Sequence, residues 1–359
     1  MFPDREVGAR LTSSPKKSRY TRAPGIDLDL LARLAERIDP EVFDAEPEFD
    51  IVELAEFTGW TVPQLEKLWL WAGFPQGTGL DKKFTRRDAE SIRDLYELSR
   101  TENLDAETIG SMVRAIGTSM ERLAVWQVES HIQFLADRDH LGDTEARLAA
   151  AALMPTIGRK MMSQIASIWL LHYSAAVHRL TVDTVLQRGV SDDDYQFPLV
   201  RAVGCAEIRD FSKITQHMSK AKYMALVQEF QNRVHDIVRT AGGRTNKNIG
   251  DGIYFVTDDI GSGAEIALKL AKMQEEGFGA AVNVGLTWCR IMTAYGNIGG
   301  PGVDLAMLLA RETPANEVYI DNDGAALLAK YPKYYTLTPT EVNPPGRESI
   351  MAYRLSPAE

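Results

Sequence analysis

The chain has 359 residues, of which 45% are hydrophobic, and a net charge of -10. That length exceeds what one core organises, so two domains are expected, and the acidic balance excludes bulk affinity for nucleic acid or an anionic membrane. The two cysteines, Cys205 and Cys289, lie too far apart for a zinc-ligand spacing, exclude a disulfide scaffold and fit a reducing, cytoplasmic compartment.

Residues 1–25 carry Arg5, Arg10, Lys16, Lys17, Arg19 and Arg22 among Ser, Thr and Pro, a composition that builds no core and predicts a flexible basic arm. The start lacks the apolar segment of a signal peptide. The nearest approach to a membrane span, Ile165 to Val177, is short and interrupted by Ser167, His172 and Ser174, so no span is expected. From 26 to 186 the apolar spacing is helical: Leu28 to Ile38, then Leu54 and Phe57, Leu65 to Ala72, and Ile92 to Leu98. Thr61 with Pro63, and Thr85 with Asp88, read as helix starts. Further helices are expected at about Ala106 to Gly117, Met120 to Ala136 and Asp143 to Leu186, the last broken at Pro155. This is an all-α domain. Residues 187–197, QRGVSDDDYQF, are acidic and turn-forming and read as its linker.

From 198 to 359 the pattern changes to a strand at Leu199 to Ala206, a helix at Ala221 to Ala241 and a hairpin at Asn246 to Val256. A helix at Gly263 to Glu276, a strand pair over Ala280 to Thr293 and a helix at Val303 to Ala310 follow. A short strand Glu317 to Asp321, a helix Asp323 to Leu328 and strands near Tyr334 to Leu337 and Ser349 to Leu355 complete an α+β sandwich, helices on a mainly antiparallel sheet. Within it, NKNIGDGIYF, Asn246 to Phe255, sets Lys247 four residues before Asp251, with Gly250-Asp251 at or beside the hairpin tip. A carboxylate there can be ordinary turn punctuation or can hold a hard cation such as Mg2+.

Four segments in order decide between those readings: CAEIRDFSKI from Cys205, NKNIGDGIYF from Asn246, NVGLTWC from Asn283 and NIGGPGVDLAMLLA from Asn297. Together they resemble the catalytic domain of class III adenylyl and guanylyl cyclases, from about Val200 to Leu355, which implies a ferredoxin-like core. The resemblance implies that two domains pair head to tail and that the ribose 3'-hydroxyl attacks the α-phosphate of ATP or another purine nucleotide. Two ions, Mg2+ or Mn2+, would bridge the reacting oxygens. Asp251 matches the second metal aspartate and Lys247 the base-contacting lysine. Glu207 stands where the first metal aspartate is expected. Asp210 replaces the glycine before Phe211 in the turn that approaches the triphosphate, placing a negative charge beside phosphates. Asn297 stands at the adenine-selecting aspartate. Asp304 replaces the transition-state asparagine and Leu308 the transition-state arginine, removing a guanidinium that nothing else in the motif supplies. Arg311 lies roughly 5 Å away along the helix, one turn too far to substitute.

Two readings follow. In the first, a homodimeric cyclase homologue with weak or lost activity works as a regulatory or nucleotide-sensing pseudoenzyme. In the second, the chain is an active adenylate cyclase making cyclic AMP, through tolerant geometry or as a heterodimer with an intact cyclase. The helical half resembles the regulatory domain of the mycobacterial pH-responsive adenylyl cyclase, which implies dimerisation and a cavity for a lipid or small-molecule effector. Its helix from Pro155 to Leu186 is the expected dimer element, and His131, His140, His172 and His178 are its candidate titrating groups. Residues 51–98 also look like a MerR-type helix-turn-helix, with Lys82, Lys83, Arg86 and Arg87 near the wing. The second helix carries Trp69, Trp71 and Glu66 rather than polar and basic groups, which argues against a DNA-binding regulator.

Overall fold

A computed structural model describes residues 42, 45–75, 83–186, 199–249, 252–294, 296–346 and 348–358. The expected basic arm, first helix and linker, Lys82, Asp251 and the Lys247 side chain lie outside that description. The chain divides into two compact units, Met1–Tyr173 and Ser174–Glu359.

The first unit is helical. Helix α1, Ile51–Thr58, opens on a capping box: Asp50 accepts from the Val52 and Glu53 amides, and the Glu53 carboxylate accepts from the Asp50 amide. Helix α2, Val62–Trp71, follows a turn that leaves α1 through Gly59 at φ 85. Helix α3, Arg86–Thr101, starts at Thr85, whose hydroxyl and amide both meet the Asp88 carboxylate. Leu54, Trp60, Leu65, Leu68, Phe84, Ala89 and Ile109 form the core. The tryptophans of α2 serve packing: Trp69 stacks on Phe74 at 4.4 Å and meets Phe84 edge-on at 5.2 Å, and the Trp71 ring lies against Gly110 and under Arg114. Arg86 is likewise engaged, over the Phe57 ring and beside Glu90.

Two expectations for this half are corrected. Helix α4 runs unbroken over Ala106–Asp139, where two helices were expected. Its Gly117 is no stop: the chain packs so closely there that an added Cβ would stand 2.4 Å from the Ala72 carbonyl oxygen. Helix α5 runs over Asp143–Leu186 without a break at Pro155. One proline removes one ladder hydrogen bond, and long helical arms on both sides carry the helix across it. Among the described residues no helix is long and apolar enough to cross a membrane.

The second unit is the mixed sheet with helices on both faces. Its elements are β1 (Leu199–Ile208), α6 (Phe211–Thr215), α7 (Lys220–Thr240), β2 (Arg244–Ile249), β3 (Gly252–Thr257), α8 (Ile260–Ala271) and β4 (Val282–Ala294). They continue with β5 (Asn297–Gly299), α9 (Pro301–Glu312), β6 (Val318–Ile320), α10 (Asn322–Leu328), β7 (Tyr335–Val342) and β8 (Ile350–Pro357). The sheet order is β2-β3-β1-β4-β6-β8-β7, with β5 on β4; among the described residues β4 and β6 run parallel and the other neighbours antiparallel. The expected strand pair at 280–293 is the single strand β4, because its residues pair without interruption along β1 from Val282 to Ile291. Alternation along β1 sorts the two faces: Ala202, Ala206 and Ile208 join the core under α7, α8 and α10, whereas Val203 and Cys205 face α9. Gly285 lets α9 sit directly on β4, since an added Cβ would stand 2.1 Å from the Ala306 carbonyl oxygen.

Candidate functional site

The register of the sheet places Glu207 opposite the start of β4, at Asn283, and Asn297 opposite its far end, at Ala294. Glu207, near the end of β1, lies opposite Gly252 on β3 and Asn283 on β4. Ile249 pairs with Gly252, so only positions 250 and 251 separate the paired ends of β2 and β3. Glu207 is half-buried, and Arg311 on the last turn of α9 places Nε 3.6 Å from its Oε1. Burial pushes the Tyr254 hydroxyl well above its ordinary range; nearby Cys205, Asp304 and Glu207 add to the rise and Arg311 opposes it. Two carboxylates and one guanidinium therefore act on the same buried phenol.

The turn after β1 is built differently from the expectation. Asp210 takes the left-handed conformation, φ 53 and ψ 30, and opens the one-turn helix α6. The backbone demand that a glycine would meet is thus met by an aspartate, a residue whose short polar side chain tolerates this region. Its carboxylate accepts from Lys213 Nζ at 2.6 Å and has Arg209 Nε at 3.7 Å, and these partners hold its pKa below the usual carboxylate value. Arg209 Nη1 donates to the Thr313 carbonyl at the end of α9 at 2.9 Å. Phe211 packs under the sheet beside Tyr223, with ring centroids 5.8 Å apart.

The remaining positions fall on β5 and α9. Asn297 is exposed and opens β5, a strand that sequence reasoning missed because it is three residues long and rich in glycine. Asn246 ties this turn to β2: its Nδ2 donates to the Gly296 carbonyl at 3.0 Å, and its Oδ1 accepts from the Ile298 amide at 3.3 Å. The strand of Lys247 and the turn of Asn297 are thereby held together, through a residue next to Lys247 that the motif contained but to which no role was given. Asp304 is exposed in the first turn of α9, and Leu308 is half-buried one turn later. Of the helical histidines, His131 stacks on Phe134 and buries Nε2 without a hydrogen-bond partner, and His140 ends α4 in a left-handed conformation.

Comparison with known proteins adds the chain's relatives. No protein-family model matches it. An adenylate cyclase of Glutamicibacter nicotianae is 28% identical over 340 residues, covering 92% of this chain and 83% of that protein. An adenylate cyclase of Streptomyces coelicolor is 27% identical over 292 residues, covering 80% of this chain and 74% of its own length. The likeness thus extends through both units and not through the sheet alone. The chain is a homologue of these adenylate cyclases. Among solved structures, the adenylyl cyclase CyaB from P. aeruginosa aligns over 45% of this chain and 95% of its own, at 16% identity and a TM-score of 0.40.

In this cyclase homologue one further residue stands at the candidate site. Asn283 is 3% exposed and its Oδ1 has no hydrogen-bond partner. It is the direct cross-strand neighbour of Glu207. An orphaned amide oxygen beside a carboxylate is an oxygen donor pair, the kind of set that fits a hard divalent cation. Its signal in the sequence was a polar residue within the apolar start of β4, Val282 to Leu286. Among the described residues no group of three His, Cys, Asp or Glu side chains forms a metal cluster.

Proposed function

We propose that this cyclase homologue binds ATP with Mg2+ or Mn2+ at a face shared by two copies of the chain, and that its homodimer turns ATP into cyclic AMP weakly or not at all. A regulatory or nucleotide-sensing role follows. The observation that carries this reading is the surface of α9, where the half-buried Leu308 follows the exposed Asp304 and the next cation, Arg311, is engaged by Glu207 of its own chain. Glu207 and Asp251 would hold the cation, which supplies Lewis-acid stabilisation of phosphate charge when bound. Lys247 and Asn297, whose segments Asn246 joins, would meet the purine edge. Without a guanidinium aimed at the developing phosphate charge, a factor on the order of 10²-fold or more in rate is lost.

Pairing of two copies is supported by the long helices: Trp126 and Phe134 of α4 and Ile168, Trp169 and Leu171 of α5 are exposed, a load of large apolar side chains that a lone helix does not hide. The second reading is turnover of ATP with tolerant geometry or with an intact partner. A turnover assay with ATP and Mn2+ on the purified chain, alone and mixed with an intact cyclase, separates the two. Weak turnover alone that rises about tenfold or more in Asp304→Asn/Leu308→Arg supports the proposal. Robust turnover of the unmodified chain that vanishes in Asp251→Ala sinks it in favour of an active enzyme.

A further inference from the structure

Glu207 already faces a cation in this fold, and that cation belongs to the protein. Arg311 Nε stands 3.6 Å from Glu207 Oε1; the arginine side chain is 59% exposed and the glutamate side chain 17% exposed. The pair is therefore asymmetric: a carboxylate anchored in the sheet end, and a long side chain that solvent reaches from most directions. Arg311 sits in the last turn of α9, where the helix carbonyls favour a positive group and hold it near this corner. Beside the pair, Asn283 buries an amide oxygen that has no hydrogen-bond donor, at a desolvation cost. On the other flank Gly252 brings no side chain against Glu207. A guanidinium balances the charge of this corner but leaves the Asn283 Oδ1 unpaired; a divalent cation would use both oxygens.

We propose that Arg311 is an internal counter-ion that closes the Glu207 and Asn283 corner to a divalent cation, and that the cation enters by displacing it. Asn283 is then a second oxygen donor beside Glu207. The inference rests on the reading of Glu207 as a cation ligand. Its consequence is a site that is charge-balanced at rest and whose cation affinity is set by the partner it must release. Freed from Glu207, the Arg311 side chain is available to other anionic groups near α9.

The test uses Mn2+ alone, titrated into the full chain without nucleotide and followed by the electron paramagnetic resonance of the free ion and by calorimetry. Arg311→Gln should tighten Mn2+ about fivefold, the scale of one partly exposed ion pair. Arg311→Lys, which keeps the charge, should stay within about twofold of the unmodified chain. Asn283→Asp should tighten Mn2+ further, whereas a residue with a purely structural role would bring no gain, and its melting temperature reports whether it folds. Arg209→Gln removes a charge two residues from Glu207 that is bonded elsewhere; tightening equal to that of Arg311→Gln would mean a diffuse field and would overturn the pairing. If Glu207→Gln abolishes binding while Arg311→Gln changes nothing, the counter-ion is wrong and the cation reading stands. If Glu207→Gln leaves binding intact, or no variant binds Mn2+, the cation reading fails and this inference with it.

Discussion

Asp210 illustrates how a substitution can keep a backbone while changing its chemistry. A left-handed turn at φ 53 costs an aspartate on the order of 1 kcal/mol relative to glycine, so the turn survives and only the charge presented there differs. Lys213 and Arg209 blunt that charge, which makes the turn less hostile to phosphate than the sequence alone suggests. Asp321 carries a different electrostatic load. It is buried at the start of α10, where its Oδ1 accepts from the Trp288 and Gly324 amides, and burial raises its pKa from 3.8 to about 6. A raised carboxylate means that the folded state holds the proton more tightly than the unfolded one. Stability from this group is therefore present at low pH and is lost as pH rises between 3.8 and about 6. Asp321→Asn keeps the acceptor and the helix cap without the buried charge. It is expected to stabilise the protein at pH 8 by on the order of 1–2 kcal/mol and to flatten this part of the pH profile, measured by urea denaturation across pH. An unchanged profile would show that the burial is relieved by solvent.

At the scale of elements, the contact of α9 with β4 decides where Asp304, Leu308 and Arg311 stand. Because the Gly285 Cα lies under the α9 backbone, Gly285→Ala must push the helix outward. The expected cost is about 3 kcal/mol of unfolding free energy, together with loss of the Arg311 to Glu207 pair; equilibrium denaturation measures the first and the Mn2+ titration the second. The elements most legible in the sequence were those with strong periodicity or clear caps, such as α3 from Thr85 and Asp88, α7, and the hairpin of β2 and β3. Those misread were lengths and continuities: the unbroken α4 and α5, and the single strand β4, depend on packing against Ala72 or on pairing with β1, which local pattern does not encode. The site divides the same way. Glu207, Asp210, Asp304 and Leu308 were found as motif positions, whereas Asn283 and the Arg311 pair needed the register of β1 and β4 and the seat of α9.

Over the whole molecule, one buried arginine joins the end of α5 to the sheet. Arg201 on β1 is 7% exposed; its guanidinium contacts Asp183, places Nε 3.0 Å from Asp258 and donates to the Val200 carbonyl, while Arg244 meets the same Asp258 at 2.9 Å. Arg201→Ala removes the buried partner of Asp183 and Asp258 and leaves them to Arg179 and Arg244, at an expected cost of about 3 kcal/mol in urea unfolding, whereas Asp258→Asn, at the more exposed partner, should cost under about 1 kcal/mol. Equal costs would show that the network is only superficial. The strand order has a consequence for how the protein is made. Strand β8, Ile350–Pro357, lies between β6 and β7, so an inner strand leaves the ribosome after both of its neighbours. Until it does, β6 and β7 each wait with an open edge, and the nascent sheet depends on a chaperone or on speed to keep them from pairing with a neighbour.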